Sequence, residues 1–221
     1  MTTRPIRLFG DPVLKAQTTE VGAIDDDIRS LVRDLVDSVE LPGRAGVAAT
    51  QIGVGLRVFS YNVDGVIGYL INPRLVEVRG EPEEIGEGCL SVPGLWFPTP
   101  RHPYARAVGV DLDGEELVVE GEGLLAQALQ HETDHLDGML YLDRLSKEHR
   151  REAMRQVRES DWFSAPSETH EAQHCGPGER RFRRRARGRV TSGTCPGSRG
   201  SPLRGTCPRS SPRSPSGSRC A

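Results

Sequence analysis

Residues 123–138 read G-L-L-A-Q-A-L-Q-H-E-T-D-H-L-D-G. No Pro and no internal Gly interrupts the run up to Leu136, so the spacing predicts a helix over about 123–137, with Gly138 where a C-terminal cap belongs. Leu124, Ala128, His131 and His135 fall on one stripe of that helix, which assigns both histidines to its buried side. Two imidazoles four residues apart on one face can grip a single metal ion. Glu132 then stands beside the metal, where a carboxylate can move a proton on and off a bound water. The plain alternative is two core or surface histidines that happen to share the spacing. It loses ground because the helix is apolar and well formed.

The segments around this helix set the fold class. Asp25–Glu40 (D-D-D-I-R-S-L-V-R-D-L-V-D-S-V-E) repeats its apolar residues at helical spacing behind an acidic first turn, which suits the helix dipole. Leu41–Gly46 (L-P-G-R-A-G) breaks it into a loop. Strand-like runs follow at Leu56–Val63, Val66–Ile71, Leu75–Val78, Ala105–Leu112 and Glu116–Val119, the last two joined by Asp113-Gly114 as a hairpin. A polar helix over about 146–160 closes the body. Strands in a run, flanked by helices and not alternating with them, indicate an α+β fold. Small mixed or antiparallel sheets are expected to pack around the metal-binding helix.

The chain of 221 residues divides by composition. Residues 165–221 hold 12 Arg, no Lys and 3 acidic residues, a formal +9; residues 1–164 keep 17 basic and 28 acidic residues, a formal −11. The basic part is rich in Ser, Pro, Gly and Arg and nearly without aliphatic residues, so it is expected to be a disordered tail behind a catalytic domain over 1–164. Cys89 is the one cysteine of the body, and Cys175, Cys195, Cys207 and Cys220 lie in the tail. The opening M-T-T-R-P-I-R-L-F-G lacks an apolar signal region, and no apolar run approaches the roughly 20 residues that cross a bilayer. These features point to the cytoplasm, where thiols stay reduced, and to no membrane partner.

Two histidines do not complete a metal site. A third histidine at H-E-x-x-H-x-x-G-x-x-H spacing is excluded, because Tyr141 occupies that position. Glu148, Glu152 or Glu159 could serve as an acidic ligand, although they sit on a polar helix. Cys89, in E-G-C-L-S-V-P-G (Glu87–Gly94), is the other candidate, set between Gly and an acid in a segment suited to close backbone approach. A lone cysteine is more often a small buried hydrophobe than a ligand.

Three segments together resemble the peptide deformylase family: G-V-A-A-T-Q (Gly46–Gln51), E-G-C-L-S (Glu87–Ser91) and Q-H-E-T-D-H (Gln130–His135). They follow the family's order and spacing, and the likeness runs over roughly residues 5–160, including the opening R-L-F-G-D-P-V-L-K. It implies removal of the formyl group from the N-terminal formyl-methionine of new polypeptides, with release of formate. It further implies that Cys89, His131 and His135 bind the metal, that Glu132 is the general acid/base, and that Gln51 and the Leu90 backbone N–H stabilise the oxyanion. Gly46 and Gly88 would let a peptide add as a strand, Leu124, Gln127 and Ala128 would line the methionine pocket, and Glu87 would pair with Arg101. Core packing explains Leu124 equally well, and an exposed loop-end residue is the plain reading of Gln51. One divalent metal per chain is implied, natively Fe(II), with Zn, Ni or Co able to occupy the site. The family pattern begins G-x-G, whereas Arg44 stands at the earlier Gly; Thr50 stands where Pro or Asn is common.

The implied partners are formyl-methionyl nascent peptides, and the implied enzyme is a monomer. The basic run R-R-F-R-R-R-A-R-G-R (Arg180–Arg189) suits a transient ribosome or RNA contact through phosphates, or else is an extension with no selected role. Two competing functions stay open: an H-E-x-x-H metalloendopeptidase with an acidic third ligand, and a non-catalytic ribosome- or RNA-binding protein working through the tail.

Overall fold

A computed structural model describes residues 4–164. The expected disorder of 165–221, and everything assigned to the basic run, lies outside the described residues. Helix α1, Asp26–Val39, starts where Asp25 accepts hydrogen bonds from the backbone N–H groups of Asp27 and Ile28 (3.1 and 3.0 Å). This N-cap, followed by two acids in the first turn, satisfies donors that the helix itself leaves open. Seven strands follow: β1 Gly46–Ala48, β2 Val58–Val63, β3 Val66–Arg79, β4 Glu83–Cys89, β5 Val92–Arg101, β6 Tyr104–Val110 and β7 Glu116–Glu122. Then come α2 Gly123–Leu136, α3 Lys147–Glu159 and the short α4 Asp161–Ser164. The fold is α+β.

Five strands form one antiparallel sheet in the order β1-β2-β3-β6-β7, while β4 and β5 make a separate hairpin. Strand alternation sorts the large sheet's residues between its two helices. Val47, Val58 and Ile71 join Ile28, Leu31, Val32, Leu35 and Val39 of α1. Their immediate neighbours Ala48, Phe59 and Leu70 join Ala126, Leu129 and Leu136 of α2, together with Ala105, Ala107 and Val119. Each fully buried aliphatic contributes about 1.5–3 kcal/mol, so α1 is held by packing more than by its caps. A third cluster joins Leu95 and Phe97 of β5 to Tyr141, Leu145 and the inner face of α3 at Ala153 and Val157. The helix expected over about 123–137 is therefore α2, lying between the large sheet and the hairpin.

Three expectations are corrected. The runs Val66–Ile71 and Leu75–Val78 are one strand, β3, whose register with β6 shifts between Ile71 and Arg74. There Asn72 takes φ +51, and its side chain accepts from the Val21 N–H (2.7 Å) and donates to the Val21 carbonyl (2.8 Å). The irregularity accommodates Pro73, which has no N–H to give a regular ladder. Strands β4 and β5 were not foreseen, because β5 carries Pro93, Pro98 and Pro100, residues that argue against a central strand. The hairpin's isolation from the large sheet relieves that objection. Leu124 is 51 % exposed and not part of the core, since the first turn of α2 projects at the mouth of a cleft.

The Asn72 side chain ties the bend of β3 to Val21, so Asn72→Ala should destabilise the protein by about 2–4 kcal/mol, from two lost hydrogen bonds and an alanine at positive φ. Urea unfolding measures this. Asn72→Gly, which keeps the backbone freedom, should lose less, and equal losses in the two variants would contradict the assignment.

Candidate metal centre

Helix α2 places His131 and His135 on the face turned toward the hairpin, and the end of β4 delivers Cys89 to them. Sγ of Cys89 lies 3.2 Å from Nε2 of His135, and the ligand atoms of Cys89, His131 and His135 all fall within 4.8 Å of one another. Among the described residues no other group of three such side chains converges. The acidic alternatives are ruled out by position. Glu148 is exposed on α3, and Glu152 and Glu159 face water, paired with Arg155. Tyr141 does not coordinate either; its ring stacks against that of His131 (6.5 Å, 24°) and its hydroxyl donates to the Leu95 carbonyl (3.3 Å).

The environment fits a cation. Burial pulls the His131 imidazole down, but the contacts with Cys89 and Glu87 outweigh it and hold the ring well above its usual value. Positive charge is therefore favoured at this spot. Burial drives His135 well below its usual value, as the neutral form of a ligand requires. One soft sulfur and two imidazole nitrogens suit Zn, Fe, Ni or Co. Nδ1 of His131 donates to Oε1 of Glu87 (2.6 Å), which turns Nε2 toward the thiol and leaves the carboxylate orienting the ligand from behind.

Glu87 is itself held on all sides. Arg101 donates from Nε and Nη2 to its two oxygens (2.8 and 2.6 Å), and Gln127 donates to Oε2 (3.2 Å). Burial pushes the Glu87 carboxyl up, yet the hydrogen bonds from Arg101 and His131 prevail and hold it well below the carboxylate range. The network continues outward. Arg101 donates from Nη1 to Asp134 (2.7 Å), and Asp134 also receives two bonds from Arg144 (3.0 and 2.6 Å). The Glu87–Arg101 pair expected from the resemblance is present. Asp134 and Arg144 were not foreseen; the signal available was Asp134 itself, an acid three residues after His131 on a buried helix, where a charge demands partners.

Glu132 lies against Gly46, where a Cβ would collide with its carboxylate, and its Oε2 is buried without a hydrogen-bond partner among the described residues. Burial pushes this carboxyl up to about 7; His131 and Arg101 pull the other way, and Glu87 and Asp134 add to the rise. Gln51 sits on a short 3₁₀ turn, Ala49–Ile52, and is 1 % exposed, so it is not a loop-end surface residue. Its Oε1 accepts from the Ala48 N–H (2.9 Å), which aims Nε2 toward Cys89 Sγ (3.5 Å) and Ser91 Oγ (3.4 Å). Leu90 follows Cys89 at the hairpin turn, its side chain packed on the α1 core. A cavity of about 80 Å³ is lined by Leu124, Gln127, Ala128, His131 and Glu132 from α2 and by Gly46 and Gly88 opposite. Thr50 is fully buried, with its hydroxyl unpartnered among the described residues.

An H-E-x-x-H helix meeting a cysteine from a separate hairpin defines a metal-binding hydrolase. The polypeptide deformylase family model matches residues 3–151. A peptide deformylase of Acidothermus cellulolyticus is 50 % identical over 162 residues, covering 73 % of this chain and 89 % of that one. Among solved structures, a peptide deformylase from Legionella pneumophila superposes with TM-score 0.67 at 35 % identity, covering 72 % of this chain and 95 % of its own. One from Ehrlichia chaffeensis, in complex with actinonin, gives TM-score 0.66 at 34 % identity over 73 % and 99 % of the two chains. The chain belongs to the peptide deformylase family. It removes the N-formyl group from nascent polypeptides, which excludes the endopeptidase and the non-catalytic binder as its primary function.

Because Glu87 fixes His131, Glu87→Gln should weaken metal binding about 10–100-fold with the ring left unanchored. Competition against a chromogenic chelator reads the change, and an unaltered affinity would contradict the orienting role.

Proposed function

We propose that Cys89, His131 and His135 hold one divalent metal, natively Fe(II), in a catalytic domain over residues 1–164, and that Glu132 moves the proton. The observation that carries this reading is the convergence of thiol and imidazole donors beside a buried carboxylate with an unpartnered oxygen. Zn, Ni or Co suit the same donor set, and Fe(II) is the family's usual choice. When bound, the metal lowers the pKa of water from 15.7 toward roughly 7 and polarises a carbonyl oxygen.

The side chains of the chain do the rest. Glu132 accepts the water proton at its carboxylate as the oxygen attacks the formyl carbon. It returns that proton to the amine nitrogen as the C–N bond breaks and formate leaves. Burial raises this carboxyl above its ordinary range, which brings its proton affinity closer to what both parts need. Gln51 Nε2 and the Leu90 backbone N–H donate to the formyl oxygen while negative charge builds on it. One such preorganised donor contributes about 3–4 kcal/mol to the barrier reduction. Gln51 is already oriented by its bond to Ala48, so little reorganisation accompanies the reaction.

The unpaired edges of β1 and β4 flank the cleft at Gly46 and Gly88, which favours entry of the peptide as an added strand. The methionine side chain then occupies the cavity beside Leu124, Gln127 and Ala128, closed at its base by His131 and Glu132. The ligand set is complete within one chain, which supports a monomer. A substrate made at the ribosome supports the cytoplasm as the place of action, and no helix among the described residues is long and apolar enough to cross a membrane. Ribosome contact through Arg180–Arg189 is supported by charge alone.

Formate release from formyl-Met-Ala-Ser, with the metal protected from oxygen, tests the roles. Cys89→Ala should lose metal and activity together. Glu132→Gln should retain metal while turnover falls by about 10²–10⁴-fold. A Glu132→Gln enzyme with undiminished turnover would remove the proton shuttle, and full activity in Cys89→Ala would remove the ligand set.

A further inference from the structure

The cleft beside the metal centre contains a second cavity of about 490 Å³, which shares Gly46, Gly88, Ala45 and Trp96 with the smaller methionine cavity. On the deformylase reading, the formyl group and the methionine side chain fill the inner space. The peptide beyond them has this larger cavity to run through. Cys89 and Leu90 line it beside the metal centre, and Gly43, Arg44 and Leu95 add to its wall. No carboxylate lines it, and apart from the metal-binding thiol its one ionisable side chain is Arg44.

Arg44 is half-buried and held in place. It donates from Nη1 to the carbonyl oxygen of Ser38 (2.9 Å), near the C-terminal end of α1, where a cation is favoured by the helix dipole. Capping this helix uses one of the five donors of the guanidinium, and among the described residues Arg44 has no ion-pair partner. Capping does not explain why the residue lines the substrate cavity. Arg44 belongs to the groove's lining, and a guanidinium with four donors left and no counter-ion has a carboxylate as its natural complement.

The register fits. Arg44 precedes Gly46 by two residues, and a peptide added along this edge advances by about 3.3 Å per residue. A substrate whose first residue lies by Gly46 and whose chain runs antiparallel to β1 brings its second and third residues alongside Arg44. The opposite wall is the indole of Trp96, 70 % exposed and lying across Gly86 and Gly88, where any Cβ would strike it. That apolar surface displaces water from the groove and strengthens a charge pair formed inside it. Residues 1–164 carry a formal −11 even with Arg44 counted, so their general field repels acidic peptides. Preference for an acid must then come from a local group.

Resting on the deformylase reading, we propose that Arg44 is a specificity-determining residue, which receives a carboxylate side chain at the second or third residue of the formylated peptide. Acidic nascent N-termini are deformylated faster than basic ones for this reason.

The test uses C-terminally amidated peptides, so that the side chain supplies the only carboxylate. Formyl-Met-X-Ala-Ser and formyl-Met-Ala-X-Ser, with X as Glu, Gln or Lys, are compared by kcat/KM for formate release. The full-length wild type, Arg44→Gln and Arg44→Glu are assayed at low salt and in about 1 M salt, where the screening length falls to about 3 Å. The wild type should favour Glu over Lys by about five- to tenfold at one of the two positions, and high salt should shrink that ratio. Arg44→Gln should flatten it and Arg44→Glu should invert it. Because the readout is a ratio between peptides, a general loss of activity in a variant does not alter it. Equal turnover of the Glu and Lys peptides by the wild type, or one ranking shared by all three enzymes, would overturn the proposal. Formate from none of the peptides with metal-loaded wild type would overturn the deformylase reading itself, and the role of Arg44 with it.

Discussion

A guanidinium that is 2 % exposed must be surrounded by acceptors, because an unpaired buried charge costs more than a small domain can sustain. Arg101 meets that demand by bridging Glu87 on the neighbouring strand of its own hairpin and Asp134 on α2. The hairpin of β4 and β5 shares no ladder with the five-stranded sheet, so its attachment to α2 rests on this bridge and on the hydrogen bonds that His131 and Gln127 make to Glu87. Cys89 is at the end of β4, two residues from Glu87. Fixing Glu87 against α2 therefore fixes where the thiol stands relative to the two imidazoles. Replacing such a network with well-packed apolar side chains can leave stability intact, but it would not orient His131.

The same burial that makes the network costly prepares the site for chemistry. Glu87 and Glu132 are two acids of one buried cluster, yet they are driven apart. Arg101 and His131 hold Glu87 ionised, while Glu132, with no direct hydrogen-bonding cation, is pushed up to about 7. One carboxylate becomes a fixed structural charge and the other suits the proton transfer proposed for it, a division set by neighbours and not by residue type. Gly46 belongs to the same logic, since only a residue without a Cβ lets β1 pass this close to Glu132.

How much of this was legible in the sequence depended on whether the signal was periodic. The metal helix and α1 follow from apolar spacing, and both histidines are buried as that spacing demands. The hairpin carrying Cys89 was hidden because its Pro and Gly content reads as loop. Yet Leu95, Phe97, Thr99 and Arg101 all point inward, an alternation visible in the sequence once Arg is allowed an inward place. Strand β3 reads as two runs because a proline normally ends a strand, and nothing local reveals that Val21 completes the bend through Asn72. Leu124 matched the stripe but sits in the first turn of α2, where the cleft opens. Side-chain networks such as Arg101–Asp134–Arg144 join residues distant in the chain, and no spacing rule reports them.

The central claim is that a thiolate from the hairpin and two ring nitrogens from the helix hold the same ion. X-ray absorption of the zinc-loaded full-length protein measures this directly. The account predicts one sulfur neighbour at about 2.3 Å and two imidazole nitrogens at about 2.0–2.1 Å. A first shell of nitrogen and oxygen with no sulfur would contradict it.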